Sequence, residues 1–137
     1  MEQFANWYKP VTEEVWQKAQ KIKLLICDID GVFSDGSIYL GNNGEELKTF
    51  NTKDGYGIKA LMKNGCDVAV ITGRKSTIVE QRMASLGVQH VYQGMETKVI
   101  GLTQLCKDLS LELSQIAFIG DDYPDIPAIQ KVGLGVA

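Results

Sequence analysis

Two aspartates separated by one residue, Asp28 and Asp30, close a short apolar run and stand directly before Gly31. In extended backbone, side chains two residues apart share a face, and a glycine lets the chain turn away behind them. Both carboxylates are therefore expected to address one small pocket. Crowded like charges stabilise nothing, but they suit a hard cation, and a carboxylate held beside magnesium can attack phosphorus. Taken alone, the pair is equally compatible with a solvated loop whose acids stop a strand. A second acidic cluster, Gly120-Asp121-Asp122-Tyr123-Pro124-Asp125, closes another apolar run. Six-coordinate magnesium takes a few carboxylates and completes its shell with waters and substrate oxygens, so two strand ends of this kind would suffice. Asp125 could also be no more than the N-cap of a following helix.

Thr72 and Gly73 end a third apolar run. A hydroxyl and successive backbone amides at such a place can hold a phosphoryl oxygen, although a Thr-Gly pair is also an ordinary turn. Arg74 and Lys75 follow directly. Lys98 stands near the start of a helical stretch. Its ammonium could offset negative charge around the nucleophile, or it could be one more surface lysine.

The elements that must position these groups are legible as alternating patterns. Residues 24–27, 68–71, 116–119 and 134–136 are apolar with almost no alternation, as in parallel strands covered on both faces, and residues 90–92 are a further strand. Between them lie helical patterns: one capped by Asp54 and stopped at Gly65, one over 76–86 ending at Gly87, one over 96–109, and a short one over 125–131. The class is α/β, a Rossmann-like parallel sheet, in which ligands sit beyond the carboxyl ends of the strands. All the polar clusters named above occupy strand ends or helix starts. Residues 37–40 and 46–50, joined by the turn Gly41-Asn42-Asn43-Gly44, predict a β-hairpin inserted in the first strand-to-helix crossover, within a polar stretch over 34–51. An isolated two-stranded hairpin is marginal in water, so this one is expected to pack against another subunit rather than to stand as a bare ribbon.

At 137 residues and 45% hydrophobic, the chain suits one domain over 1–137. Its 14 basic and 17 acidic side chains, with a net charge of -3, give no broad grip on nucleic acid. Cys27, Cys66 and Cys106 are odd in number and far apart, arguing against a disulfide framework or a zinc knuckle and for a reducing cytoplasm. Glu2, Trp7, Glu13 and Glu14 interrupt the first twenty residues, so neither a leader peptide nor a membrane span is expected there. A dinucleotide-binding domain would need Gly-x-Gly-x-x-Gly after the first strand, where this chain has acids.

Together, Asp28-x-Asp30-Gly31, Thr72-Gly73, Lys98 and Gly120-Asp121-Asp122-x-x-Asp125 resemble the signature of the haloacid-dehalogenase superfamily. The likeness is closer still to the 3-deoxy-D-manno-octulosonate 8-phosphate phosphatases, through Asp30-Gly31-Val32-Phe33-Ser34-Asp35-Gly36, Gly41-Asn42-Asn43-Gly44-Glu45-Glu46-Leu47-Lys48, Asp54-Gly55-Tyr56-Gly57-Ile58 and Ile71-Thr72-Gly73-Arg74-Lys75. It runs from about Pro10 to the last residue. The resemblance implies a phosphatase without a cap domain, in which Asp28 forms an aspartyl-phosphate while Asp30 protonates the leaving sugar oxygen and then activates water. It implies magnesium held by Asp28, the carbonyl of Asp30 and Asp121, with Asp122 and Asp125 behind them, and phosphoryl oxygens held by Thr72, Gly73 and Lys98. It implies, further, substrate contacts from Lys53 and Arg74, a homotetramer assembled through the hairpin, and a place in lipopolysaccharide biosynthesis.

A nine-carbon, sialic-type sugar phosphate is the alternative substrate, and a non-catalytic assembly module the alternative of another class. Retention of both Asp28 and Asp30 speaks against the latter, because nucleophile and acid-base group cannot replace each other. Relatives of this kind continue past the strand matching residues 133–137 with a strand, a helix and a glycine-rich tail. An apolar Leu-Gly-Val-Ala ending inside a sheet is accordingly expected to mark a shortened chain.

Overall fold

The computed structural model describes residues 10–137; Glu2 and Trp7, used above against a leader peptide, lie outside the described residues. The chain runs α1 (Glu13–Ala19), β1 (Leu24–Cys27), β2 (Tyr39–Leu40), β3 (Glu46–Leu47), α2 (Thr52–Lys63), β4 (Asp67–Ile71), α3 (Thr77–Leu86), β5 (His90–Tyr92), α4 (Lys98–Leu109), β6 (Ile116–Ile119), α5 (Ile126–Ile129) and β7 (Leu134–Val136). Short 3-10 turns precede β6 and α5.

The unalternating apolar runs form one parallel sheet in the order β5-β4-β1-β6-β7. Successive side chains of a strand point to opposite faces, so each central strand feeds two cores. Cys27, Val68 and Val70 pack with Ile58 of α2 and Val79, Met83 and Leu86 of α3. Leu24, Ile26, Ala69, Ile71 and Phe118 pack with Leu102 and Leu105 of α4 and Ala128 of α5. Each such fully buried aliphatic side chain contributes roughly 1.5–3 kcal/mol, which makes β1 a stiff platform for whatever follows it. From β1 the chain builds outward through β4 to β5, then crosses by α4 to the other side of β1. That reversal opens a crevice at the carboxyl ends of β4, β1 and β6. Among the described residues, no helix is long and apolar enough to cross a membrane.

Local chemistry moves several boundaries. The helix expected to be capped by Asp54 is capped by Asn51, whose side chain accepts from the Lys53 N–H at 2.9 Å. Asp54 instead sits in the first turn, where the helix dipole favours an acid. The third helix starts at Lys98 rather than at 96, and the pattern over 125–131 divides into a 3-10 turn, Tyr123–Asp125, and the one-turn α5. The hairpin pairs only Tyr39 with Leu47 and Leu40 with Glu46. Its return strand ends early because the next residue, Lys48, turns in toward Asp30. α1, which no periodic pattern announced, is capped by Thr12 and fully buries no residue.

Candidate active site

Strand register brings the predicted groups together. Cys27 is level with Val70 of β4 and Ile119 of β6, so the residues that follow the three strands emerge side by side. The sheet continues one hydrogen bond further, with Asp28 N–H donating to the Ile119 carbonyl at 3.0 Å and Thr72 N–H to that of Tyr92 at 2.9 Å. A cavity of about 520 Å³ opens there, lined by Asp28, Asp30, Thr72, Gly73, Arg74, Lys98, Asp121 and Asp122, with Met95, Glu96 and Pro124.

The floor of this cavity is buried and charged. Lys98, 5% exposed, lies 2.9 Å from Asp28 Oδ2 and makes a short contact with Asp125 Oδ1. Asp125 is fully buried, and its Oδ2 accepts from the Asp121 and Asp122 N–H groups at 3.0 and 3.1 Å. The alternative of Asp125 as a simple cap of α5 therefore fails, since its side chain makes no capping bond to that helix. It anchors the 121–122 loop and orients Lys98. Asp122 caps the 3-10 turn, accepting from the Tyr123 N–H at 2.7 Å.

Two glycines permit these approaches. A Cβ on Gly31, whose φ is +88°, would stand 1.8 Å from Asp121 Oδ2, and one on Gly120 would stand 2.4 Å from the Asp125 side chain. Asp28, Asp121 and Asp125 each bring an oxygen within 4.8 Å of the others. Asp125 spends its oxygens on Lys98 and two backbone N–H groups, and Asp28 Oδ1 accepts from the Ile29 N–H at 2.7 Å while its Oδ2 faces Lys98. Among the described residues, the Asp121 carboxylate accepts from neither Lys98 nor the backbone N–H of another residue, and with Asp28 beside it the acids are an all-oxygen set that suits a hard cation. Desolvation, then the charges of Asp28 and Asp125, push the Asp121 carboxyl above the usual range, the direction expected of acids gathered for a cation. Cys27, next to Asp28, is no reactive thiol: burial first, then the charge of Asp28, raises it to about 12.

The rim is more open. Arg74, whose side chain is half exposed, reaches Glu46 at 3.5 Å and Asp30 Oδ2 at 4.0 Å. The 72–76 loop is pinned by the segment that follows β5, with Met95 N–H donating to the Thr72 carbonyl and Gln93 Oε1 accepting from the Ser76 N–H. Lys53 does not join the cavity but lines a second hollow, with Asp54, Val32 and the far side of Asp121. Lys48 and Glu46 of the hairpin, by contrast, do belong to the charged network around Asp30 and were not among the expected site residues. The only signal for them was their place in the Gly41 to Lys48 stretch that resembles the phosphatases.

A parallel sheet with acids at two strand ends, a Thr-Gly at a third and a buried lysine across from them defines a class, and the chain belongs to the haloacid dehalogenase-like hydrolase family, which it matches over residues 55–133. Asp28 and Asp30 precede that match, but wider comparisons take them in. The chain is 51% identical over 133 residues to the 3-deoxy-D-manno-octulosonate 8-phosphate phosphatase KdsC of Escherichia coli strain K12, covering 97% of this chain and 71% of that protein. Within the family it thus belongs with the 3-deoxy-D-manno-octulosonate 8-phosphate phosphatases. The crystal structure of the Yersinia pestis phosphatase of that name superposes with a TM-score of 0.91 at 50% identity, over 93% of this chain and 69% of that one. That of the Moraxella catarrhalis phosphatase, in complex with a magnesium ion, a phosphate ion and KDO, does so with a TM-score of 0.89 at 44% identity, over 91% and 72%.

Proposed function

We propose that the chain is a magnesium-dependent phosphatase that hydrolyses 3-deoxy-D-manno-octulosonate 8-phosphate to the free sugar acid and inorganic phosphate. The observation that carries this reading is the buried Asp28–Lys98–Asp125 chain, which sets a carboxylate and an ammonium at the floor of a cavity that Thr72 and Asp121 also line. The similar Moraxella protein, with magnesium, phosphate and KDO bound, supports the same ligands here.

In this mechanism an Asp28 oxygen attacks phosphorus, the ester P–O bond breaks, and Asp30 gives its proton to the departing sugar oxygen. Water then attacks the aspartyl-phosphate, Asp30 takes the water's proton, and phosphate leaves with Asp28 regenerated. Lys98, already 2.9 Å from Asp28, stays charged beside the phosphoryl group through both halves, and the Thr72 hydroxyl with the Gly73 amide holds its oxygens. Magnesium, when bound, would be held by Asp28, Asp121 and the Asp30 carbonyl, and would neutralise the charge that otherwise repels nucleophile and phosphate. Asp122 and Asp125 act behind them by fixing the loop. Arg74, which lines the cavity at its rim, would meet the sugar carboxylate; Lys53, in the neighbouring hollow, would reach a substrate only beyond Asp121.

The hairpin exposes Tyr39 (54%), Leu40 (75%) and Leu47 (62%) on strands of two residues, which supports its packing against other copies in a homotetramer. Three free cysteines fit work in the cytoplasm, on the route to lipopolysaccharide. The test is phosphate release from the eight-carbon ester and a nine-carbon sialic-type ester, with and without magnesium, by the wild type and by Asp28→Asn. Magnesium-dependent release, lost in Asp28→Asn with circular dichroism unchanged, is the expected result. Activity surviving in that variant overturns the mechanism, and a preference for the nine-carbon ester overturns the substrate.

A further inference from the structure

Lys48 is the least expected charge in the molecule. It follows β3 on a hairpin that otherwise faces solvent, yet its side chain is only 1% exposed. A buried ammonium persists where it is paired and hydrogen-bonded, and Lys48 Nζ lies 2.6 Å from Asp30 Oδ1 and 3.9 Å from Glu46 Oε1. Ser34 Oγ donates to the same Oδ1 at 3.5 Å. The other carboxylate oxygen, Oδ2, lies on the side of Arg74, at 4.0 Å from its Nε, and Arg74 and Asp30 both line the cavity. One oxygen of Asp30 is therefore tied back to the hairpin and the other is left for the cavity.

We propose that Lys48 is a positioning residue for the proton transfers of this reaction: by holding Asp30 Oδ1 it presents Oδ2 to the leaving oxygen in the first half and to water in the second. The proposal rests on the reading of Asp30 as acid and base given above. Its chemical content is specific. A misplaced general acid matters in proportion to how badly the leaving group needs a proton, and correct placement is worth about 10²-fold or more for a poor leaving group and little for a good one. A residue that merely anchored the hairpin would show no such dependence.

The experiment measures kcat/KM, which reports the transfer to Asp28, for aryl phosphates of graded leaving-group acidity from p-nitrophenyl to phenyl phosphate. These esters carry no sugar, so hairpin contacts to a sugar do not enter. The wild type, Lys48→Met, Lys48→Arg and Asp30→Asn are compared in saturating magnesium, with Asp28→Asn as the inactive reference. The expected result is that Lys48→Met loses roughly 10²-fold on phenyl phosphate but stays within about threefold on p-nitrophenyl phosphate. Asp30→Asn should follow the same steepened dependence, and Lys48→Arg should recover most of the wild-type profile. Should Lys48→Met fail to fold, Lys48→Gln carries the same comparison. An equal loss on every ester, or no loss on any, overturns the proposal and leaves the phosphatase reading standing. A flat profile in Asp30→Asn overturns both this proposal and the acid-base role of Asp30, and activity in Asp28→Asn overturns the phosphatase reading itself.

Discussion

The floor and the rim of the crevice are made differently. The floor is set by the register of three central strands and closed by Lys98 and Asp125, 5% and 0% exposed, whose polar atoms serve one another, Asp28 or the backbone. The rim comes from the hairpin and the 72–76 loop: Arg74 and Glu46 touch at 3.5 Å, and apolar side chains of the two-residue strands face outward. The contrast teaches that the two regions are held by different physics, with the buried Lys48–Asp30 pair the point where they meet. On the proposed mechanism, attack at phosphorus would rely on groups whose displacement would unpack the sheet, whereas recognition through Arg74 would rely on an exposed pair that costs little to exchange.

The sharpest way to break that contrast is Lys98→Met. It leaves two carboxylates at the floor without their cation, so stability should fall by about 3–5 kcal/mol and kcat by roughly 10²–10³-fold, read from urea midpoints and steady-state rates. A variant that lost activity at full stability would show the floor to be less integrated than described. Gly31→Ala is expected to act next most strongly. Its Cβ would stand 1.8 Å from Asp121 Oδ2 at a φ of +88°, so the apparent magnesium affinity should drop about 10–100-fold, with activity partly restored by excess magnesium in a titration. The mildest change belongs to the rim. Arg74→Ala removes a half-exposed pair, so the thermal midpoint should hardly move, with less than about 1 kcal/mol at stake, while KM for the sugar phosphate rises on the order of tenfold as a charged hydrogen bond is lost. An equal loss of stability there would erase the distinction between floor and rim.

How far each region could be read in advance follows the same division. The strands of the floor announced themselves because runs such as Val68-Ala69-Val70-Ile71 are apolar on both faces, and the acids after β1 and β6 stand where any such sheet keeps its ligands. The burial of Lys98 was not legible, since it depends on Asp125, 27 residues later, and on the room that Gly120 leaves for that side chain. At the rim, the turn residues Gly41 to Gly44 marked a hairpin, but not its length. Lys48 meets Asp30 across 18 residues, and nothing in local periodicity records so distant an ion pair. The cap of α2 was misassigned for a smaller reason: Asn51 and Asp54 are equally good caps, and the choice is made by where the extended backbone ends, at Asn51.

The hairpin occupies a crossover whose two ends are already secured, by the turn that folds Val32, Phe33 and Ser34 back onto the Ile29 carbonyl and by the Asn51 cap. Closing a flexible loop of twice the length between fixed ends costs only about 0.6 kcal/mol more. Residues can thus be added or removed at the exposed tip of the hairpin, away from the buried Lys48–Asp30 pair, at a cost far below the stability of a domain. In a lineage of such enzymes this crossover is where new substrate ranges can be tried out, generation after generation, while the aspartates at the end of β1 stay where the sheet put them.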